Sequence, residues 1–499
     1  MGEPVHVDKK AKTADGTGDA PKTPGTSLSV AFPPAAATSA RRAYGPWTPP
    51  PSFPAAMGGK SVFRMMSDYY EYVFPYQEMF DWLAYGHDGK HPAADPSFPK
   101  RREICLTLGG ADGTDEIFAR YQSYADAASL KQALVKKCPI KIDIGPVYSR
   151  DPTTRKQYPD FHPLERELVF DIDMDGYDDV RLCCQGNKLC TSCWPLMTMG
   201  VSVMDHVLRE DFGFEHILWV FSGRRGIHGW VCDPAARRLS DANRSAIARY
   251  LECYKGNQDG RAKMSEDAHH PSVKASYALL KEHFEKSYLP AQQLLETPDG
   301  IERVLQYVPH EDVRDRMRTK WGSSRPGSKA APDTSHLSLS TQRWLELEAE
   351  VKKTADKINK SAGLGAAQRE KELVGSLRNI VMAFCYPRLD VEVSKKMNHL
   401  LKAPFCVHPK TGRVCVPINP KTMWKFTPEK VVHVETLVQE IHSKRAQGEK
   451  HPDWRVTSLA PEVKYFSQEF LAGCKKSAQE EMTQRTREQR REVQTRMDF

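Results

Sequence analysis

Apolar residues in this chain change their spacing several times, and each change marks an element. The run SVFRMMSDYYEYVFPYQEMFDWLAYG carries aromatic and aliphatic side chains at helical intervals, broken at Pro75, and predicts a helical pair facing a core. REICLTL, KIDIGPVYS and ELVFDID then read as strands. WPLMTMGVSVMDHVLREDFG reads as a helix leading into a further strand, HILWVF. From about Leu251 to Cys385 the period is helical again, in SYALLKEHFEKSYL and TQRWLELEAEVKKTADKI, with polar loops between. Strand signals return at RLDVEV and RVCVPI. This order predicts an α/β domain with a helical subdomain inserted into it.

Both ends fall outside the pattern. Residues 1–60 are rich in Ala, Pro, Gly, Thr and Ser, which bury too little apolar surface to offset chain entropy; a disordered extension is expected. The final stretch, KKSAQEEMTQRTREQRREVQTRMDF, is charged without an apolar stripe and predicts a solvated tail. The expected division is 61–252 and 386–472 for the α/β domain, 253–385 for the helical subdomain and 473–499 for the tail. With 499 residues and a formal net charge of +8, the chain has room for two or three domains and favours nucleic acid or nucleotide partners. No apolar run reaches the length of a membrane span, and no signal peptide is in view, so a reducing compartment is expected.

The densest chemistry lies in ELVFDIDMDGYDDVRLCCQGNKLCTSCW. Leu168, Phe170 and Ile172 alternate with Val169, Asp171 and Asp173, the pattern of a half-buried strand, so the two aspartates leave the same face. Adjacent carboxylates on a rigid strand repel. A hard Mg²⁺ or Mn²⁺ relieves that repulsion and keeps coordination positions open for phosphate oxygens. The same residues open like a calcium-binding EF-hand loop, D-x-D-x-D-G. The twelfth position, where a bidentate Glu is needed, is Leu182, and ELVF reads as strand where a helix should enter.

Of the twelve cysteines, Cys183, Cys184, Cys190 and Cys193 follow these aspartates directly. Four thiolates at this spacing can enclose one tetrahedral Zn²⁺, a closed and therefore structural site; free thiols or a disulfide pair are the alternative. HILWVFSGRRGIHGWVCD reads as strand, tight turn, strand. Its turn gathers Ser222, Arg224, Arg225 and His228 among glycines, a set suited to a nucleoside triphosphate, although arginines facing water would look the same. No Walker-type P-loop is present. In PRLDVEVSKKMNHLLKAPFCVHPKTGRVCVPI, Asp390 on an alternating strand offers a third carboxylate for a two-metal site, or else a core salt bridge. Lys395, Lys402, His408, Lys410 and Arg413 follow it, cations to set against triphosphate charge.

Together with RYQSY and SLAPEVKYF, these segments resemble the small catalytic subunit of the archaeal and eukaryotic DNA primase family, over roughly residues 61–470. The resemblance implies a mixed α/β prim domain with a structural zinc knot and an inserted helical subdomain. It implies Asp171, Asp173 and Asp390 as ligands of catalytic Mg²⁺ or Mn²⁺, and the four cysteines as zinc ligands. Ser222, Arg224, Arg225, His228, Lys402 and His408 match residues holding the incoming nucleotide, and Asp143 one near the ribose 2′-hydroxyl. Glu103, Arg120 and Lys141 match residues lining the nucleotide and initiation region. Phe118 stands where the family has Tyr, Gly229 where Cys is common and Cys406 where Ser is common.

The implied activity is de novo synthesis of short RNA primers on single-stranded DNA from ribonucleoside triphosphates. The implied partners are a large primase subunit carrying an iron–sulfur cluster, in a heterodimer, and the DNA polymerase α complex, in the nucleus and without a membrane. A primer-extending primase-polymerase and a non-catalytic zinc-containing nucleotide-binding scaffold are the competing readings.

Overall fold

The computed structural model describes residues 59–109, 116–252, 254–255, 263–264, 270–323, 336–361 and 363–497. Nearly all of the expected amino-terminal extension therefore lies outside the described residues. Helices Gly59–Asp68 and Tyr76–Ala84 come first, joined through a π-helical turn that ends just before Pro75. Four strands follow: β1 (Arg102–Gly109), β2 (Glu116–Gln122), β3 (Lys141–Tyr148) and the short β4 (Pro163–Glu165). Next come β5 (Leu168–Asp173), helix α1 (Trp194–Glu210), β6 (Ile217–Phe221) and β7 (Gly226–Val231). A two-stranded hairpin, β8 (Tyr254–Lys255) with β9 (Lys263–Met264), precedes a long helical stretch. Within that stretch lie α2 (Pro271–His283), α3 (Leu339–Lys360) and α4 (Ala366–Cys385). The chain closes with α5 (Val391–Lys395), β10 (Leu401–Lys402), β11 (Pro417–Ile418) and α6 (Ala472–Met497).

The strands form two antiparallel sheets. The first runs β10-β3-β1-β2, with β4 paired to β3; the second runs β11-β6-β7-β5. Strands β6 and β7 are buried along their whole length, which explains their nearly continuous apolar sequence. Strand β5 departs from simple alternation, because Leu168, Val169 and Phe170 are all buried. Helix α5 covers that end of the strand, and Ser394 Oγ donates to the Val169 carbonyl at 2.6 Å. The helical stretch builds its core around Trp344, Phe284, Tyr288 and Phe384, whose rings meet edge to face, stacked or tilted. Among the described residues no helix is long and apolar enough to cross a membrane.

Two expectations need correction. Asp390 does not lie on a strand; it caps α5, its carboxylate accepting from the Glu392 amide at 3.1 Å. Only Leu389 makes a bridge, to Ile172, because the capping bond turns the chain into a helix one residue later. The charged carboxy-terminal stretch is not simply solvated either. Cys474, Ala478 and Met482 of α6 are buried at four-residue intervals, a stripe too narrow and too small-sided to stand out in the sequence. Lys475 pairs with Asp81, and Arg238 with Glu481, which fixes the helix to the domain.

Candidate nucleotide and metal site

Strand pairing decides which side chains meet. In the β5–β7 ladder Asp171 stands opposite His228 and Asp173 opposite Gly226, so the acidic strand and the basic turn are neighbours. The His228 Nε2 lies 3.8 Å from Asp171 Oδ1. The Asp390 amide donates to the Asp171 carbonyl at 3.0 Å, which brings the third aspartate beside the pair from 219 positions further along. Burial, and then the charges of Asp173 and Asp390, push the Asp171 carboxyl up to about 7, while Lys402 pulls the other way. A carboxylate so destabilised is one that a cation would relieve.

The β6–β7 turn is locked by its own backbone. Ser222 and Gly226 exchange hydrogen bonds: the Ser222 amide donates to the Gly226 carbonyl at 2.9 Å, and Ser222 Oγ accepts from the Gly226 amide at 3.0 Å. Gly223 sits at φ +86°, and a Cβ there would fall 2.6 Å from His408 Cβ, so only glycine fits. Residues 411–415 hold the turn from behind. Thr411 Oγ1 donates to the Gly223 carbonyl at 2.7 Å, and the Cys415 thiol to that of Ser222 at 3.2 Å. Lys402, which arrives from the first sheet, extends Nζ to the same Ser222 carbonyl at 3.4 Å.

The cations around this turn crowd one another. Burial, then Lys402, Arg224, Lys410 and His228, drive the His408 imidazole down to about 2, so it is neutral at physiological pH. Burial and Lys402 bring His228 down to about 3. An arriving polyanion reverses these costs, because each cation gains a partner. The two arginines differ. Arg225 donates Nε to Asp173 Oδ1 at 2.7 Å and its other nitrogens to Asp175 and Asn187. Arg224 has no ion pair among the described residues, and burial followed by repulsion from Arg225 lowers its pKa.

The first sheet brings the remaining candidates. Lys402 pairs in register with Asp143, whose carboxylate lies 3.0 Å from Lys141 Nζ. Glu103 is fully buried. Its carboxylate accepts from Arg120 at 3.0 and 3.1 Å, from the Tyr121 amide at 3.0 Å and from Tyr148 Oη at 3.1 Å, so it props up Arg120. Phe118 is exposed on β2, and Cys406 is buried, its sulfur accepting from the Ile142 amide at 3.3 Å. Gly229 lies against the Trp219 indole, where a Cβ would come within 2.7 Å of the ring.

The four cysteine sulfurs all lie within 4.8 Å of one another, unbridged, with Cys190 and Cys193 Sγ atoms 3.8 Å apart. Tetrahedral zinc with bonds of about 2.3 Å requires sulfurs roughly 3.8 Å apart, so the knot fits that ion. Arg181 and Gln292 brace it. The Gln292 side chain donates to Cys183 Sγ at 3.3 Å and accepts from the Leu182 amide at 2.7 Å, reaching in from the helical stretch. Among the described residues no other three Cys, His, Asp or Glu ligand atoms close so tightly, the aspartates included. Sequence reading missed Gln292, Asn187 and the pairing role of Asp175; only Asp175 carried a signal, as part of the acidic run.

Fold and site together define a mixed α/β protein in which an acidic strand, a basic glycine turn and a cysteine knot adjoin. Residues 170–420 match the DNA primase small subunit family. A DNA primase small subunit from Schizosaccharomyces pombe is 38% identical over 391 residues, covering 77% of this chain and 79% of that protein. One from Drosophila melanogaster is 37% identical, covering 76% and 82%. A more distant one from Methanothermobacter thermautotrophicus is 24% identical, covering 61% and 80%. The chain belongs to the DNA primase small subunit family.

Proposed function

We propose that this chain is the catalytic subunit of a DNA primase, a nucleotidyltransferase that joins ribonucleoside triphosphates de novo on single-stranded DNA and extends them to short primers. The observation that supports the reading is the Asp390–Asp171 backbone bond, which brings the third aspartate beside the pair, where Asp171 stands opposite His228 and Asp173 pairs with Arg225. Asp171, Asp173 and Asp390 are the residues to hold Mg²⁺ or Mn²⁺, which supplies Lewis acidity at the α-phosphate and an activated 3′-hydroxyl. Ser222, Arg224, Arg225, Lys402 and His408 bind the triphosphate, and neutral His228 can donate a hydrogen bond to it. Asp143, held by Lys141, faces the ribose and favours its 2′-hydroxyl, while Glu103 aims Arg120 toward the initiating nucleotide. The cysteine knot holds structural Zn²⁺.

In this reading residues 61–252 and 386–472 form the prim domain around the helical subdomain, 253–385. The chain works in a heterodimer with an iron–sulfur large subunit, within a DNA polymerase α complex in the nucleus. The test is a template-only assay with labelled ATP and GTP. Asp171→Ala and Asp173→Ala should abolish dinucleotide formation while folding and zinc content stay normal. Wild-type dinucleotide yield from either variant would refute the assignment. Product only when a primer is supplied would point to a primer-extending enzyme, and Mg²⁺-indifferent nucleotide binding without product to a scaffold.

A further inference from the structure

The cysteine knot carries a loop that reaches into the nucleotide site. Between Cys184 and Cys190 the chain passes through Gly186, at φ +57°, and Asn187. Asn187 Oδ1 accepts from Arg225 Nη1, so all three nitrogen positions of that guanidinium are occupied: Asp173 at Nε, Asn187 at Nη1 and Asp175 at Nη2. Such a three-sided hold fixes the plane of an arginine whose free side chain would sample many rotamers.

The loop itself is braced by a buried cation. Arg181 donates Nη2 to the Gly186 carbonyl at 2.8 Å and Nη1 to the Lys188 carbonyl at 2.7 Å, gripping the carbonyls on either side of Asn187. Asp178 accepts from Arg181 Nε at 2.7 Å and from the Gly186 amide at 2.8 Å, which closes the brace. Arg181 also comes within 3.9 Å of Cys193 Sγ, where a guanidinium offsets the net negative charge of four thiolates on one Zn²⁺. Metal knot, buried arginine and asparagine tip form one rigid bracket. A purely structural staple has no need to point a polar side chain at an arginine of the neighbouring site.

We infer that Asn187 is a positioning residue for the nucleotide, holding Arg225 in the plane from which it meets the triphosphate, and that the zinc knot is the mount for that contact. The inference rests on the reading of Arg225 as a triphosphate-holding residue. A divalent cation held by Asp173 would compete with Arg225 for that carboxylate. Asn187 and Asp175 would then keep the guanidinium in its plane and leave Nε available to a phosphate oxygen.

The test measures Mg–ATP binding to the full, zinc-loaded chain by calorimetry, with zinc content, melting temperature and steady-state kinetics measured alongside. Asn187 is solvent-exposed, so Asn187→Ala should keep its fold and its zinc. It should bind Mg–ATP roughly three- to tenfold more weakly, the defect falling mainly on KM. Asn187→Asp, which restores an acceptor, should recover most of the affinity. Unchanged or tighter binding by Asn187→Ala, with Arg225→Ala defective, overturns the inference and leaves the site reading intact. Normal binding by Arg225→Ala overturns the site reading itself. Zinc loss or a lowered melting temperature in Asn187→Ala, or failure of Asn187→Asp to recover affinity, would assign the effect to the knot's stability and likewise overturn the inference.

Discussion

Asp171 and Asp173 precede the cysteine knot by about ten residues and Asp390 joins them from a distant segment, yet the fold treats knot and aspartate cluster oppositely. Four sulfurs are drawn together within 4.8 Å, whereas the three carboxylates stay apart, Asp173 turned to Arg225 and Asp390 to its own helix. Thiols can be neutral and crowd at little cost. Carboxyl groups are ordinarily ionised at neutral pH, and crowding them is costly: burial, then Asp173 and Asp390, push Asp171 up to about 7. A closed set of ligands suits an ion that never leaves, and an open set suits one that arrives with its substrate.

The largest expected effect falls on the open set. Asp390→Ala should lower primer synthesis by at least about a hundredfold. Its zinc content should match wild type in metal analysis, and calorimetry should show no more than the loss of one helix cap, about 1 kcal/mol. Selective withdrawal of the two proposed ions would sharpen the contrast. Removing zinc should lower the melting temperature and expose amides of 183–193 and of the Gln292 segment to hydrogen exchange, while removing Mg²⁺ should leave both unchanged.

Glu167, just before β5, provides the opposite kind of carboxylate. Burial works against its charge, but Arg102 at 2.9 Å and Tyr85 at 2.6 Å more than offset that and bring its pKa down to about 2. Glu167→Gln should therefore cost about 3–5 kcal/mol at neutral pH by denaturant unfolding, because Arg102 is left buried without its partner. A depressed carboxyl stabilises above its unfolded pKa and loses that contribution as pH falls through the folded value. The gap between wild type and variant should thus narrow from about pH 4.5 down to 2. The smallest effect belongs to Gln292→Ala. It should cost about 1 kcal/mol and speed zinc release to a chelator, without touching nucleotide affinity directly.

Much of the site could be read directly. The acidic pair of β5, the glycine turn with its two arginines and the cysteine spacing are all local, and period-two alternation or short motifs expose them. What stayed hidden has long sequence separation or weak periodicity. Asp390 looked like a strand residue because RLDVEV alternates, and a single capping bond redirected it. Helix α6 looked solvated because its buried stripe is Cys474, Ala478 and Met482 among charges.

By itself, then, the sequence determined which chemical groups this protein owns and that Asp171 and Asp173 share a face, since those follow from residue type and backbone period. Only the tertiary structure decided that Asp390 joins them, that Lys402 crosses from the other sheet, and that Asn187 holds Arg225. Those contacts depend on strand order and loop bracing, which arise from packing between distant segments and leave no local imprint.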